Sequence, residues 1–296
     1  NMHTATYYID LLLSGITVGS LYALIAIGYT MVYGILRLIN FAHGDIFMMA
    51  GFFMVYISAS MPMAVAIPVV LIMTVALGLL IERAAYKPLR SAPRMSVMIS
   101  AIGVSYLLQN LATYITGGLA RPYPEIPFLK GTFMLGALKI KVITVVTPLL
   151  TVLLVIALVL FINHTKTGMA MRAVSRDFDT ARLMGIKVNN IISVTFIIGS
   201  FLAGVGSILY FSNYGQVSPT IGAMPGLKAF VAAVFGGIGS IPGAVLGAYI
   251  IGICESLIKA NDAIAIFSNA FTFALLILVL LFKPNGMFGE KLAEKV

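Results

Sequence analysis

The sequence predicts an all-α membrane protein, a polytopic bundle of about eight or nine transmembrane helices with one amphipathic helix in a cytoplasmic loop. Three observations lead there. Hydrophobic residues make up 60% of the 296 and charged ones only 10%, beyond the roughly 45–50% apolar share of soluble domains. Apolar runs near the ~20 residues that cross a ~30 Å hydrocarbon slab recur along almost the whole chain. The basic residues behind the net charge of +9 crowd into a few short connections, the pattern of topology signals and not of a nucleic-acid surface.

Apolar runs bounded by charge, Pro or Gly fall at about 8–33, 44–60, 62–82, 95–116, 142–162, 191–212, 225–238, 244–259 and 264–282. Lipid offers no water to unsatisfied backbone groups, so each is expected to be a helix. The stretch from Gly44 to Ile81 is too long for one ordinary crossing and is expected to break at Ser60-Met61-Pro62, where proline removes a helical donor. The first run is too long for a signal-peptide core and is expected to remain as an anchor. Asn1 stands before Met2.

Orientation follows from Lys and Arg. Arg83, Lys87, Arg90 and Arg94 share one connection, Lys166, Arg172, Arg176, Arg182 and Lys187 another, and Lys283, Lys291 and Lys295 mark the tail. The positive-inside rule makes all three cytoplasmic. Asn213 to Met224 holds no charge, and Gly117 to Lys141 is Pro-containing and modestly basic, so both are expected outside, with the N-terminus outside as well. Parity allows either three crossings after Asn213 or a re-entrant pair at 225–259 followed by one crossing.

Small residues at Gly15 and Gly19, at Gly243 and Gly247, and at Gly199-Ser200 with Ala203-Gly204 suit close helix approach. The single Cys254 permits neither a disulfide nor a thiolate metal site within the chain. No Gly-Lys dipeptide occurs, which excludes the phosphate-cradling Walker loop. Few ionisable residues enter the spans: Glu255, Lys228 and, near a span end, Asp45. Intramembrane charge is costly and tends to mark function, yet Glu255 can also pair with Lys228 or with Lys259 at helical spacing. Asn40, His43 and Asp45 form a polar cluster that reads either as helix-start packing or as part of a solute pathway. No metal site is indicated.

The longest basic connection carries a recognisable pattern. From Gly168 to Ile186, Ala170, Val174, Phe178, Ala181 and Met184 share one helical face, and Arg172, Arg176 and Asp179 another. This predicts one short amphipathic helix, with Gly168 just before its start and Gly185 suited to a left-handed C-terminal cap. By pattern alone such a helix could also rest on lipid headgroups.

Several motifs occur in order along nearly the whole chain: Gly15-Ile16-Thr17-Val18-Gly19-Ser20-Leu21-Tyr22-Ala23-Leu24, Ile39-Asn40-Phe41-Ala42-His43-Gly44-Asp45, the 168–186 loop, Gly236-Gly237-Ile238-Gly239-Ser240-Ile241-Pro242-Gly243-Ala244 and Lys283-Pro284-Asn285-Gly286. With them the chain strongly resembles the LivH-type permease subunits of bacterial branched-chain amino-acid ABC importers. The resemblance implies one permease domain over 1–296 with a coupling loop at about 163–190, in the bacterial inner membrane. It implies a coupling helix docked on an ATPase through Gly168, Arg172, Arg176, Asp177, Phe178, Ala181 and Gly185, with Phe178 in the ATPase cleft. Also implied are a second homologous permease, two cytoplasmic ABC ATPases that hold ATP and Mg, an extracytoplasmic binding protein and a lipid surround, with no cofactor on this chain. Leucine, isoleucine and valine are the expected cargo. A sibling importer of urea or short amides is the nearest alternative; a proton-driven transporter or channel is disfavoured by the scarcity of intramembrane carboxylates, and an intramembrane enzyme by the lack of a nucleophile–base pair.

Overall fold

The computed structural model describes residues 2–136 and 138–289. Seven of the described helices are long and apolar enough to cross a membrane, and two more are apolar but shorter. The nine sit where the sequence places its nine apolar runs: α1 (Met2–Leu36), α2 (His43–Ile57), α3 (Met63–Ile81), α4 (Arg94–Thr116), α5 (Val142–His164), α8 (Val188–Tyr214), α9 (Ala223–Gly236), α10 (Ile241–Lys259) and α11 (Ser268–Phe282). The expected break holds, since α2 ends at Ile57 and Pro62 stands immediately before α3.

α1 is the mast of the bundle. Its 35 residues would run to about 50 Å, and Leu21, Ala23, Leu24, Ile25, Ala26 and Ile27 are all buried. Apolar side chains gain little by leaving lipid for a protein interior, so helices in a bilayer must be held by close contact. The glycines supply it. A methyl group on Gly15 would lie 2.9 Å from the Ile253 Cα, and one on Gly252 would overlap the Gly19 backbone. Gly243 and Gly247 meet Gly236 and Ala232 of α9, Gly199 meets Gly28, and Gly204 meets Leu71 and Thr74 of α3. These small-residue pairs therefore serve packing within the chain.

The two short helices, of 15 and 14 residues, would span only about 21–23 Å at 1.5 Å per residue. Both begin inside the bundle, where a methyl on Gly226 would stand 2.9 Å from the Gly44 Cα. The irregular turn before α2 is buried at Asn40 and Ala42. Its backbone is satisfied locally: His43 N donates to Asn40 O at 3.1 Å, and Ile46 N to Ala42 O at 3.0 Å. Such non-helical backbone survives at depth only where protein surrounds it. The 225–259 segment forms an antiparallel pair, a geometry common to two crossings and to a re-entrant pair, and α9 is shorter than a membrane span. α9 ends beside the tail, where Met287 N and Phe288 N donate to Phe235 O and Gly236 O. α10 returns to Ala260, whose carbonyl accepts from Tyr7 near the start of α1.

Two short antiparallel pairs lie in the described connections of this helical bundle. β2 (Thr132–Leu135) and β3 (Leu138–Lys141) form an antiparallel hairpin, and β1 (Arg121–Pro122) pairs with β4 (Gln216–Val217). The second pairing ties the connection after α4 to the one after α8. Connections 82–93, 165–187, 237–240 and 283–289 gather at the opposite end of the bundle, which the Arg90–Asn189 hydrogen bond and the Gly237–Gly286 contact hold together. Lys291 and Lys295 of the tail lie outside the described residues.

The glycine contacts make a testable distinction. Gly252→Ala leaves the added methyl no room and is expected to lower stability by about 1–3 kcal/mol, the usual scale of overpacking. Gly103→Ala points into open space and should raise it by about 0.5–1 kcal/mol through helix propensity. Thermal unfolding midpoints in detergent should move in opposite directions for the two variants.

Candidate functional site: a loop hairpin and two intramembrane polar clusters

The 165–187 connection is built differently from the single helix that its face pattern predicts. Two helices form, α6 (Lys166–Arg176) and α7 (Phe178–Leu183). Asp177 separates them in an extended conformation, φ −156 and ψ 116. The carboxylate accepts from Asp179 N at 2.9 Å and Thr180 N at 3.1 Å. Capping a new helix satisfies two donors that a continuous helix would have used internally, so the side chain wins over the wheel. Thr165, not Gly168, caps α6. Gly168 lies inside the first turn, where any Cβ would overlap the Ile162 backbone. Gly185 does adopt the left-handed conformation, φ 84, with Ile186 N donating to Ala181 O across the helix end.

The break redistributes the faces. Met171, Val174 and Ala181 are buried, and Phe178 is half-buried against the bundle core. Arg172, Arg176 and Asp179 are exposed. Met184, expected to share a face with Val174 and Ala181, is instead 78% exposed, and Leu183 is 87% exposed. The outward apolar knob is thus Leu183-Met184 at the tip of α7, and Phe178 helps seat the hairpin. Arg37, at the end of α1 and the only non-glycine described residue with positive φ, donates to Ser175 O at 3.4 Å. Glu82, buried after α3, accepts from Arg90 and from Ser193 of α8, while Arg90 also reaches Asn189. The hairpin is therefore tied to α1 at one side, and the start of α8 that follows it to the α3–α4 connection.

Two polar clusters lie within the bundle. Glu255 of α10 accepts from Lys228 of α9 at 2.7 Å and from Lys259 through Oε1, and from the Tyr22 hydroxyl of α1 at 2.8 Å through Oε2. Both candidate lysines pair with it, and the group joins three helices beside a cavity of about 210 Å³ lined in part by Ser14, Tyr214 and Lys259. Asp45, in the first turn of α2, is 3% exposed. Its carboxylate accepts from Ser105 and, at 3.0 Å, from Gln109, both on α4. Among the described residues no cation forms an ion pair with it.

The other members of the predicted polar cluster make structural contacts. Asn40 Oδ1 accepts from the Tyr86 hydroxyl at 2.9 Å and from Ala42 N, fixing the turn. The His43 ring fills the space left by Gly28 and Gly199 and meets Tyr29 edge-on, centroids 4.9 Å apart. Sequence reading missed Tyr22, Ser105, Gln109 and the Glu82–Arg90 strut, since nothing local signals partners 60 or 233 residues away.

With this geometry in place, comparison with known proteins decides the family. A family model described as the permease component of the branched-chain amino acid transport system matches residues 11–280. The chain belongs to that family. It is 42% identical to the high-affinity branched-chain amino acid transport system permease protein BraD of Pseudomonas aeruginosa and 40% to the LivH protein of Escherichia coli K12. Each alignment covers 98% of both chains. A more distant likeness, 26% over 56% of this chain and 46% of the relative, is to an autoinducer 2 import permease of Yersinia enterocolitica. The family is one of multi-pass membrane permease subunits, as the helices here require.

Breaking a buried ion pair by removing one partner costs about 3–5 kcal/mol, whereas replacing both by apolar groups is often neutral. Glu255→Gln is therefore expected to lower the thermal unfolding midpoint in detergent sharply. The double variant Lys228→Met/Glu255→Leu should recover most of the loss, and equal losses in both would show that the pair does not hold these helices.

Proposed function

We propose that this chain is the LivH-type permease of an ATP-driven importer of leucine, isoleucine and valine, and forms half of the solute pathway. The observation that carries this reading is full-length identity of 40–42% to permeases whose names specify branched-chain amino acid transport. The match to an autoinducer permease covers barely half of the chain, and the urea or short-amide alternative draws no support from these relatives.

In this reading the chain is not an enzyme and carries no cofactor. ATP and Mg belong to two cytoplasmic ATPases, and a second homologous permease and an extracytoplasmic binding protein complete the assembly. The protein sits in the bacterial inner membrane with its N-terminus outside and its C-terminus in the cytoplasm. Eight of the basic residues in the 82–94 and 165–187 connections support that orientation: Arg83, Lys87, Arg90, Arg94, Lys166, Arg172, Arg176 and Arg182.

The α6–α7 hairpin is the coupling element. Leu183 and Met184 form its apolar contact with the ATPase, while Arg172, Arg176 and Asp179 surround it with charge. Gly168, Asp177, Phe178, Ala181 and Gly185 shape and seat the hairpin on the permease. Motion of an ATPase then biases the permease between outward and inward access through the ties at Arg37 and Asn189.

Leu183→Asp and Met184→Asp place a carboxylate on a contact that must desolvate, at a cost on the order of 2–4 kcal/mol. Co-purification of the ATPases and leucine uptake in vesicles should both fall at least tenfold, with membrane insertion intact. Retention of both activities would contradict the docking assignment. Orientation is checked separately: in right-side-out vesicles, a cysteine replacing Lys130 should react with an impermeant maleimide, and one replacing Arg176 should react only after the membrane is opened.

A further inference from the structure

α4 differs from α3 and α5 in turning polar side chains outward well inside its length, beside hydrocarbon ones such as Leu107 and Leu111. It is the least apolar of the seven membrane-length helices, and less than a quarter of its most apolar stretch is buried. The outward residues of α3 (Val65, Ile72, Leu80) and of α5 (Leu149, Leu153, Ile156) are hydrocarbon, as suits a lipid-facing wall. On α4, Ser105, Tyr106, Gln109, Asn110 and Thr113 recur at one- and four-residue steps and form a continuous polar stripe from mid-helix toward its Thr116 end. Tyr106 is 63% exposed and Asn110 and Thr113 are exposed as well. Asn110 donates to Tyr106 O and Thr113 to Gln109 O, both at 2.8 Å within the helix, which leaves the Asn110 amide oxygen turned outward. A strong acceptor facing hydrocarbon costs free energy, so the stripe suits water or a polar solute better than lipid.

The stripe leads to a charge. Gln109 stands half-exposed at its edge, and its amide nitrogen lies 3.0 Å from an oxygen of the buried Asp45. That nitrogen occupies the position a primary ammonium would take, donating to a carboxylate that pairs with no cation among the described residues. Rotation of the Gln109 side chain would open Asp45 to the stripe. Intramembrane carboxylates face pathways or partners far more often than lipid, and this one has its partners on the helix that carries the stripe.

We propose that the α4 stripe is this chain's wall of the solute pathway, and that Asp45, screened by Gln109, receives the ammonium group of a zwitterionic amino acid in transit. The proposal rests on the importer reading for its solute, but the accessibility of the stripe does not depend on it. Gln109 and Ser105 hold the carboxylate between passages, and Tyr106 and Ile102 flank it with apolar surface for the side chain.

The test uses the full assembly in proteoliposomes, with Cys254 replaced by Ser. Cysteines at Tyr106, Asn110 and Thr113 are compared with cysteines at Leu153 and Ile277, using an impermeant cationic methanethiosulfonate. The stripe positions should react at least tenfold faster than the two controls and be slowed by leucine-loaded binding protein. Rates equal to the controls would overturn the pathway assignment, whether lipid or the second permease covers the stripe. Gln109→Lys puts an ammonium on Asp45 permanently, so it should keep the assembly intact and cut leucine uptake at least tenfold. Asp45→Asn should also cut uptake at least tenfold, with Asp45→Glu retaining more. Uptake within twofold of the parent in Gln109→Lys or Asp45→Asn would overturn the ammonium role. No leucine uptake by the parent assembly would instead count against the importer reading, leaving the reactivity result to judge the stripe.

Discussion

The close approach of α1 to α8, α9 and α10 is the constraint on which the rest of the structure depends. Lipid tails are as apolar as leucine, so burying one more leucine does little to hold helices together, and contact must come from dispersion over matched backbones. Gly15, Gly19 and Gly28 on α1 meet Gly252, Ile253 and Gly199 with no space for a Cβ at several of these points. Everything functional is hung on that column. The His43 ring occupies the gap left by Gly28 and Gly199, which fixes where α2 starts and hence where Asp45 sits.

Buried polar groups then divide by purpose according to their partners. Glu255 is saturated by two lysines and a tyrosine from three helices, the arrangement expected of a tie between elements. Among the described residues Asp45 has only neutral donors, both on the least apolar of the membrane-length helices. These two buried carboxylates thus differ in the charge of their donors. At the basic end, Arg37 and the Glu82–Arg90–Asn189 strut link the α6–α7 hairpin and the start of α8 to the column, so force applied at the tip of α7 reaches more than one helix.

Much of this was legible in the sequence because lipid simplifies the rules. Apolar length gave the nine helices, Pro62 gave the α2–α3 break, and the left-handed end at Gly185 followed from glycine's freedom at positive φ. Periodicity failed at Asp177, where a side chain that caps the next helix outweighs continuation of the wheel, and Met184 turned outward as a result. Depth was also hidden: an apolar run does not show that α2 and α9 start inside the bundle. The partners of Asp45 and Glu255 come from helices far along the chain, and the β1–β4 pairing joins two-residue strands too short to leave a pattern.

The central claim is that this permease is powered by ATP through docked subunits and not by an ion gradient through its own sparse carboxylates. Leucine uptake by proteoliposomes holding both permeases and the binding protein measures this most directly, with the ATPases and ATP supplied or withheld and a proton gradient imposed or absent. The account predicts accumulation only when ATPases and ATP are present together, whatever the gradient. Uptake driven by the proton gradient with the ATPases omitted would contradict it.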